Sequence, residues 1–196
     1  SPVGSYLAGG LRPVSILIED HDVRAVRGGT GYAKCGGNYA AANRAAAKAE
    51  QKGYDQVLWL DGVHQRYIEE VGGMNVMFKI DGKIVTPALT GSVLPGITRR
   101  SCIQLLKDKG YEVEERLFAV DELIKTLESG KLEEAWGCGT AAVISPIGKF
   151  CYQDKAYAIG EENGPTAQWL YDTLTGIQWG SIADPYGWVY PVPEKP

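Results

Sequence analysis

The sequence predicts a mixed α+β domain, in which strands joined by hairpins are interrupted by helices. Two observations support this fold class. Apolar runs of strand length occur at Val14–Glu19 and Met74–Ile80, and the second is followed by Asp81-Gly82, a pair typical of a tight hairpin turn. Helical segments lie between such runs, and the clearest of them is the alanine-rich stretch Asn38–Lys52.

The order of the predicted elements follows from these patterns. The first helix stops at Gly53, and the amphipathic helix after Pro95-Gly96 is ended by Gly110, because glycine is common just past a helix. The predicted helices are Asn38–Lys52, Thr98–Lys109, Val120–Ser129 and Gly164–Thr175. The predicted strands are Val14–Glu19, Gln56–Leu60, Met74–Ile80, Lys83–Thr86, Glu112–Phe118, Glu134–Trp136, Ala142–Ser145 and Lys149–Tyr152. The proline-rich tail, residues 184–196, is predicted to lie on the surface.

Composition and charge exclude several classes of protein. The chain has 196 residues, 44% of them hydrophobic and 22% charged, which is ordinary for a soluble domain with its own core. A net charge of −4 provides no basic surface for nucleic acid. No apolar run approaches the ~20 residues of a membrane helix. We therefore expect neither nucleic-acid binding nor membrane insertion.

Cysteine and histidine usage predicts no metal site. The four cysteines are scattered without a Cys-x-x-Cys pair, and there are only two histidines. Zinc sites need closely spaced ligands of these types. We expect free thiols, which are typical of a cytoplasmic protein.

The most informative motif places Lys34 within a glycine-rich run, residues 28–37, with Tyr39 shortly after it. Glycine has no Cβ and adopts positive φ at low cost, so a carbonyl compound can approach the lysine amine closely. Lysine is the side chain that forms Schiff bases. The alternative interpretation is a tight turn with an exposed lysine. A phosphate-binding P-loop is excluded, because Cys35 stands where that motif requires Ser or Thr.

Three further motifs follow in order: YIEEVGGMN at residues 67–75, LPGITRR at residues 94–100 and GCGTAA at residues 137–142. Together with the lysine segment they resemble the branched-chain amino acid aminotransferases, members of the fold-type IV family that uses pyridoxal 5'-phosphate. The resemblance extends from Val23 to about Trp179. It implies the family's large cofactor-binding domain, a pseudo-barrel of mixed strands flanked by helices.

The resemblance assigns three side chains to the cofactor ring. Lys34 matches the lysine that binds the cofactor covalently, and Glu70 matches the glutamate that keeps the pyridine nitrogen protonated. Tyr39 matches the tyrosine that donates to the phenolic oxygen, and a plain core tyrosine is its alternative. For Glu70 the alternative is a solvated charge at a strand end. We expect Glu69 to be such a charge, because neighbours on a strand face opposite ways.

The cofactor phosphate is expected at the start of the helix after Pro95-Gly96, where unpaired N–H groups and the helix dipole favour an anion. The resemblance assigns the phosphate to the backbone of Ile97 and Thr98 and to the hydroxyl of Thr140. An ordinary N-cap is the other interpretation of Thr98, and it is compatible with phosphate binding.

The remaining assignments concern the edge of the site. Arg24 matches an arginine near the cofactor, and a surface salt bridge is its alternative. Thr140, Ala141 and Ala142 match a turn whose backbone N–H groups bind the substrate carboxylate, although by sequence alone this segment is typical of the buried start of a strand. Gly73 stands where many relatives have threonine in the substrate pocket, so a hydroxyl and a methyl group are missing there.

The resemblance implies an amino transfer in two half-reactions. Lys34 holds the cofactor, an amino acid displaces it, and the freed amine moves a proton from the substrate α-carbon to the cofactor. Leucine, isoleucine or valine thereby passes its nitrogen to 2-oxoglutarate, which gives glutamate. A homodimer is implied as well. D-amino acid transaminases and aminodeoxychorismate lyases share the lysine and the glutamate and are alternatives, as is a non-catalytic cofactor-binding or interaction module.

Residues 1–196 match only the C-terminal cofactor-binding domain of the family, so we expect the N-terminal small domain to be absent. In relatives that domain supplies a phosphate-binding arginine and part of the substrate pocket. Because a bidentate arginine is a strong phosphate contact, we expect cofactor retention and turnover to be impaired in this chain.

Overall fold

The computed structural model describes residues 11–192, which form an α+β domain. Its helices are α1 (Gly36–Gln51), α2 (Ile97–Asp108), α3 (Val120–Glu128) and α4 (Pro165–Gln178). Its strands are β1 (Val14–Glu19), β2 (Gln56–Leu60), β3 (Ile68–Val71), β4 (Asn75–Ile80), β5 (Lys83–Pro87), β6 (Val113–Arg116), β7 (Leu132–Gly139), β8 (Val143–Tyr152) and β9 (Lys155–Ala158).

The strands form one curled, mixed sheet in the order β3-β2-β1-β8-β7-β4-β5-β6, with β9 paired to β8. Strand β1 is parallel to both β2 and β8, β5 is parallel to β6, and the other neighbours are antiparallel. Helix α1 connects the parallel strands β1 and β2, as such a crossover requires. The loop between β1 and α1 carries Lys34, so the lysine motif lies in the connection that follows the C-terminal end of a central strand.

Hydrophobic clusters cover both faces of the sheet. On β4, Val76 and Phe78 belong to one cluster, which also contains Leu123 of α3. Met77, between them, belongs to the other cluster together with Leu106 of α2. This alternation follows from the period of two along a strand. Apolar side chains thus cover most of both faces, and the polar groups of the candidate site come from strand β3, the first residue of β4, loops and helix ends.

The predicted fold class is confirmed, and β1 and β2 have the predicted bounds. All four predicted helices are present, with ends that differ by at most three residues. Strands β3 and β9 lie outside the predicted strands. Two glutamates in the four residues of β3 lower its strand propensity, and β9 is a short, largely exposed partner of β8.

Strand β8 is continuous, although the sequence predicts two strands separated by residues 146–148. Pro146 precedes Ile147, which is the residue where pairing with β1 is offset by a bulge. Proline has no N–H to donate, and such positions in a sheet tolerate it.

The described part of the tail, as far as Val192, is largely exposed as predicted, whereas residues 1–10 and 193–196 lie outside the described residues. Between residues 11 and 192, no helix combines the length and apolar character needed to cross a membrane.

Candidate active site

Two adjoining cavities open beside Lys34. We call them the α1 lobe, of about 190 Å³, and the α2 lobe, of about 230 Å³, after the helix that borders each. Lys34, Glu70, Gly73 and Leu94 line both lobes, so the lobes meet at these four residues. The α1 lobe adds Arg24, Tyr39, Ala42, Gln56, Val57 and Trp59, among others. The α2 lobe adds Asn75, Pro95, Gly96, Ile97, Thr98 and Thr140, among others.

Lys34 and Tyr39 meet at the junction of the lobes. The Nζ of Lys34 donates a hydrogen bond to the Oη of Tyr39 across 3.3 Å. Because α1 begins at Gly36, Tyr39 lies in its first turn, and its side chain turns back toward the preceding loop. Tyr39 is 50% exposed, so the alternative of a core tyrosine is wrong. Lys34 is exposed as the turn interpretation requires, and it also lines both cavities.

Glu70 is a buried carboxylate with two partners. Its Oε1 accepts a hydrogen bond from the backbone N–H of Leu94 at 2.8 Å, and its Oε2 lies 3.4 Å from the Nε of Arg24. Burial raises the pKa of Glu70 to about 7, although Arg24 acts in the opposite direction. Arg24 is itself buried. The alternatives of a solvated Glu70 and a surface salt bridge for Arg24 are therefore wrong.

The expectation that Glu69 is solvated is also wrong. Glu69 is 4% exposed, and its carboxylate accepts a hydrogen bond from the hydroxyl of Ser92. Burial raises its pKa above the ordinary value. Neighbouring side chains on β3 do face opposite ways, but the segment around Ser92 covers the second face. The backbone carbonyl of Ser92 also accepts a hydrogen bond from Arg24, which links Glu69 to the Glu70 ion pair.

The N-terminus of α2 forms the far end of the α2 lobe. Gly96 is the N-cap and Ile97 the first helical residue, so the interpretation of Thr98 as an N-cap is wrong. Among residues 11–192, no side chain forms a capping hydrogen bond with this helix, and its first turn contains no acidic residue. A Cβ at Gly96 would overlap the Oδ1 of Asn75, whose Nδ2 donates to the carbonyl of Leu94 at 2.8 Å. Only glycine fits this approach.

The turn between β7 and β8 comprises Thr140, Ala141 and Ala142. Thr140 lines the α2 lobe, Ala141 is exposed, and Ala142 packs in the core. The three residues form a turn and not the start of a strand, since β8 begins at Val143. Gly73 lines both lobes, and a Cβ there would have only Tyr39 nearby, at 3.8 Å from its Cε1.

Three supporting residues carry no predicted role, although they stand in or beside the motifs. Asn38, Asn75 and Leu94 all form hydrogen bonds between a side chain and the backbone at this site. Asparagine at a turn or next to a functional residue is a weak signal, and no sequence pattern marks a backbone N–H as a partner of Glu70.

Comparison with known proteins identifies the family. The family model described as amino-transferase class IV matches residues 11–150, which is most of the chain. The chain belongs to the class IV aminotransferases.

Several relatives are similar to this class IV aminotransferase over nearly its whole sequence. Branched-chain-amino-acid aminotransferase 2 of Bacillus subtilis (strain 168) is 57% identical over 189 residues, which cover 96% of this chain and 52% of that protein. A probable branched-chain-amino-acid aminotransferase of Staphylococcus epidermidis is 56% identical over 196 residues, which cover 99% of this chain and 55% of that protein. The chain thus spans about half the length of these relatives.

Solved structures confirm the fold of this class IV aminotransferase. The branched-chain amino acid aminotransferase of Escherichia coli has a TM-score of 0.81 at 31% sequence identity, covering 96% of this chain and 59% of that one. The T.th. branched-chain amino acid aminotransferase complexed with N-(5'-phosphopyridoxyl)-L-glutamate has a TM-score of 0.76 at 29% identity, covering 90% and 55%. The predicted fold-type IV architecture is therefore confirmed.

Proposed function

We propose that this chain carries the cofactor site of a pyridoxal-phosphate-dependent transaminase of branched-chain amino acids. One observation supports this most: Lys34, Glu70 and the N-terminus of α2 border one cavity, with Tyr39 3.3 Å from the lysine amine. An amine, a phenol, a buried carboxylate and an anion-binding helix end are the groups that pyridoxal 5'-phosphate requires. The names of the two relatives that are 57% and 56% identical support the reaction.

The residues present fit the cofactor at both of its ends. Burial raises the pKa of Glu70 to about 7 even beside Arg24, so a protonated pyridine nitrogen would complete the charge balance of this carboxylate. The first turn of α2 contains no acidic residue and receives no capping hydrogen bond from a side chain in the described part of the chain, which leaves its N–H groups for a phosphate. Thr140 borders the same lobe.

Each residue has a defined task in this proposal. When bound, the cofactor supplies the electron sink for charge that develops at the substrate α-carbon. Lys34 binds the cofactor through Nζ and, once released, takes the proton from the substrate α-carbon. Tyr39 donates to the phenolic oxygen, and Glu70 holds the proton on the pyridine nitrogen. Arg24 keeps Glu70 in place.

The phosphate and the substrate carboxylate bind to uncharged groups in this proposal. The N–H groups of Ile97 and Thr98 and the hydroxyl of Thr140 hold the phosphate. The turn at Ala141 and Ala142 offers its N–H groups to the substrate carboxylate. These groups carry no net charge, so they bind an anion without adding a competing cation next to Lys34.

The proposed substrates are leucine, isoleucine and valine as amino donors and 2-oxoglutarate as the acceptor. The branched-chain donors follow from the names of the relatives. Glutamate, the product formed from 2-oxoglutarate, is supported by the T.th. relative, which is complexed with a phosphopyridoxyl derivative of L-glutamate. Because Lys34 and Tyr39 lie on the open side of the cavity, we propose that this chain alone retains the cofactor weakly and turns over slowly.

Borohydride reduction tests the proposal, because it converts a lysine–cofactor bond into a stable adduct. The chain is incubated with pyridoxal 5'-phosphate, reduced and digested, and the peptide masses are compared with those of Lys34→Ala. Lys125→Ala, which removes an exposed lysine of α3, is the matched control. We expect one dominant adduct on Lys34 in wild type and control. Adducts spread evenly over exposed lysines would contradict the proposal.

Amino donors then test the substrate class. Leucine, valine and D-alanine are added separately to the unreduced complex, and the spectrum of the bound cofactor is followed. We expect a spectral change with leucine and valine, reversed by 2-oxoglutarate. A change with D-alanine alone would instead support a D-amino acid transaminase.

A further inference from the structure

The side chain of Asn38 spans the loop that carries Lys34. Asn38 is 7% exposed, and its Nδ2 donates to the carbonyl oxygens of Thr30 and Ala33, both at 2.9 Å. Its Oδ1 accepts a hydrogen bond from the Oγ1 of Thr30 at 2.8 Å. We call these three hydrogen bonds the Asn38 clamp. They connect the first turn of α1 to the residues immediately before Lys34.

The partners in the clamp require an amide at position 38. Two carbonyl oxygens need two N–H hydrogens, and Nδ2 carries both, whereas the hydroxyl of Thr30 needs an acceptor, which is Oδ1. An aspartate of the same shape would place a carboxylate oxygen against both carbonyl oxygens. An alanine would leave the two carbonyls without this partner.

Gly31 fixes the opposite side of the same loop. A Cβ at Gly31 would overlap the carbonyl oxygen of Ser92 and the Cβ of Ala25, so the loop backbone packs directly on both. The same carbonyl of Ser92 accepts a hydrogen bond from Arg24, the partner of Glu70. The loop is therefore held between α1 on one side and the support of Glu70 on the other.

Because of its position, the clamp controls the distance between Lys34 and Tyr39. It binds Ala33, the residue before Lys34, to Asn38, the residue before Tyr39. Lys34 itself is exposed, and its amine donates a hydrogen bond to Tyr39. The Asn38 side chain thus fixes the backbone next to Lys34 relative to the backbone next to Tyr39. Asn38 also lines the α1 lobe, but its Nδ2 donates both hydrogens within the clamp. Loss of the clamp would therefore act on the lysine by freeing the loop that carries it.

We propose that Asn38 is a positioning residue, which holds the Lys34 loop so that the lysine amine stays next to Tyr39 at the junction of the two lobes. Its consequence for cofactor binding rests on the proposed function of Lys34. Asn38 acts through the backbone of Thr30 and Ala33 and forms no bond with the reacting atoms.

Hydrogen exchange and lysine labelling test this proposal together. The first variant is Asn38→Asp, which replaces the two N–H hydrogens of Nδ2 with a carboxylate oxygen that can only accept. The other two are Thr30→Val and Thr30→Ser, of which only Thr30→Ser keeps the hydroxyl. Asn163→Asp is the matched control, because Asn163 Nδ2 also donates to a loop carbonyl, that of Leu11, at 2.9 Å. Exchange is measured on the peptide covering residues 28–37. The second readout is the ratio of reduced cofactor adduct on Lys34 to that on Lys125 in the same molecule.

For Asn38→Asp we expect exchange in residues 28–37 to become about tenfold faster and the adduct ratio to fall about tenfold, as the loss of one to two hydrogen bonds implies. Thr30→Val should show a smaller change in the same direction, and Thr30→Ser and Asn163→Asp should match wild type in both readouts. Thermal melting identifies a variant that fails to fold, and if Asn38→Asp fails, Thr30→Val against Thr30→Ser decides. Unchanged exchange in Asn38→Asp or Thr30→Val would overturn the proposal.

The two readouts separate this proposal from the proposed function. If wild type forms no selective adduct on Lys34, the proposed function fails, and hydrogen exchange alone still decides whether Asn38 holds the loop. If wild type forms the adduct and Asn38→Asp forms it with the same ratio despite faster exchange, the loop does not position Lys34, and the proposal is overturned.

Discussion

The carboxylate of Glu70 and the guanidinium of Arg24 form a buried ion pair, with Oε2 and Nε 3.4 Å apart and both side chains less than 10% exposed. Glu69, also buried, lies near the same guanidinium, so Arg24 acts on two carboxylates, with Arg27 also acting on Glu69 and Lys34 on Glu70. Burial keeps the pKa of both carboxyl groups above the ordinary value despite these cations. A further cation, such as a protonated pyridine nitrogen, would therefore stabilise the ionised form of Glu70.

Replacement of Arg24 tests the importance of this pair. Arg24→Met leaves the carboxylate of Glu70 buried without its cation, so we expect the free energy of unfolding to fall by about 3–5 kcal/mol at pH 8. The loss should be smaller near pH 5, where Glu70 is protonated. Urea denaturation at both pH values measures it. Arg44→Met, which breaks an exposed pair with Asp22, should cost less than about 1 kcal/mol. Equal effects of the two variants would contradict the assignment.

The raised pKa of Glu70 predicts a defined pH dependence of stability. The folded chain binds this proton more tightly than the unfolded chain, so the contribution of Glu70 is most favourable below pH 4.5 and decreases as the pH rises to about 7. Glu70→Gln removes this titration. The variant should therefore gain about 3 kcal/mol relative to wild type between pH 4.5 and pH 8, in the absence of cofactor.

Denaturation curves at several pH values give this difference directly. Carboxylates with lowered pKa, such as Glu19 and Asp61, oppose the trend in the whole protein but cancel between variant and wild type. Glu161→Gln, at an exposed position, is the control and should follow wild type at each pH. A difference between Glu70→Gln and wild type that does not change with pH would show that Glu70 titrates as an ordinary glutamate.

The residues that face the cavity could be predicted from the sequence better than the residues that hold them. Lys34, Tyr39, Glu70 and Thr98 stand in motifs whose order along the chain is specific, and the fold brings them to the same two lobes. The Asn38 clamp could not be predicted, because its partners are backbone carbonyls that any sequence provides. Hydrogen bonds of this kind depend on the path of the loop, which no residue type encodes alone.

The wrong expectation for Glu69 has a similar cause. Alternation along a strand shows that Glu69 and Glu70 face opposite sides, but it does not show what covers each side. Here the segment containing Ser92 crosses over the face that carries Glu69. In the same way, the continuous strand β8 includes Pro146, because the sheet bulges where β1 begins to pair. Long-range packing decides both cases.

Gly73 and Gly137 should differ in how much stability an added methyl group costs. A Cβ at Gly73 would meet only Tyr39, at 3.8 Å, whereas a Cβ at Gly137 would lie 2.8 Å from the Cε of Met74 and 3.0 Å from the Cγ1 of Val71. Gly73→Ala should leave stability within about 0.5 kcal/mol of wild type, and Gly137→Ala should cost about 1–3 kcal/mol. Thermal or urea unfolding measures both.

At Gly73 the added group should instead affect the cavity. Because Gly73 lines both lobes, Gly73→Thr narrows their junction while the fold is kept. We expect the spectral response of the bound cofactor to leucine to become slower relative to that to alanine. An unchanged leucine-to-alanine ratio would show that Gly73 lies outside the substrate pocket.

Gly96 is the position where a single methyl group should disturb cofactor binding most. A Cβ there would overlap the Oδ1 of Asn75 and force Asn75 or the start of α2 to move. Asn75 holds the carbonyl of Leu94, and the N–H of Leu94 holds Glu70, so the displacement reaches both ends of the proposed cofactor site.

Loss of one charge-assisted hydrogen bond to the phosphate corresponds to an affinity about ten- to a hundredfold lower. We expect a decrease of this size for pyridoxal 5'-phosphate, measured by fluorescence titration. Gly160→Ala, where a Cβ meets nothing within 4 Å, should bind like wild type. If Gly96→Ala also binds like wild type, the phosphate does not bind at the N-terminus of α2.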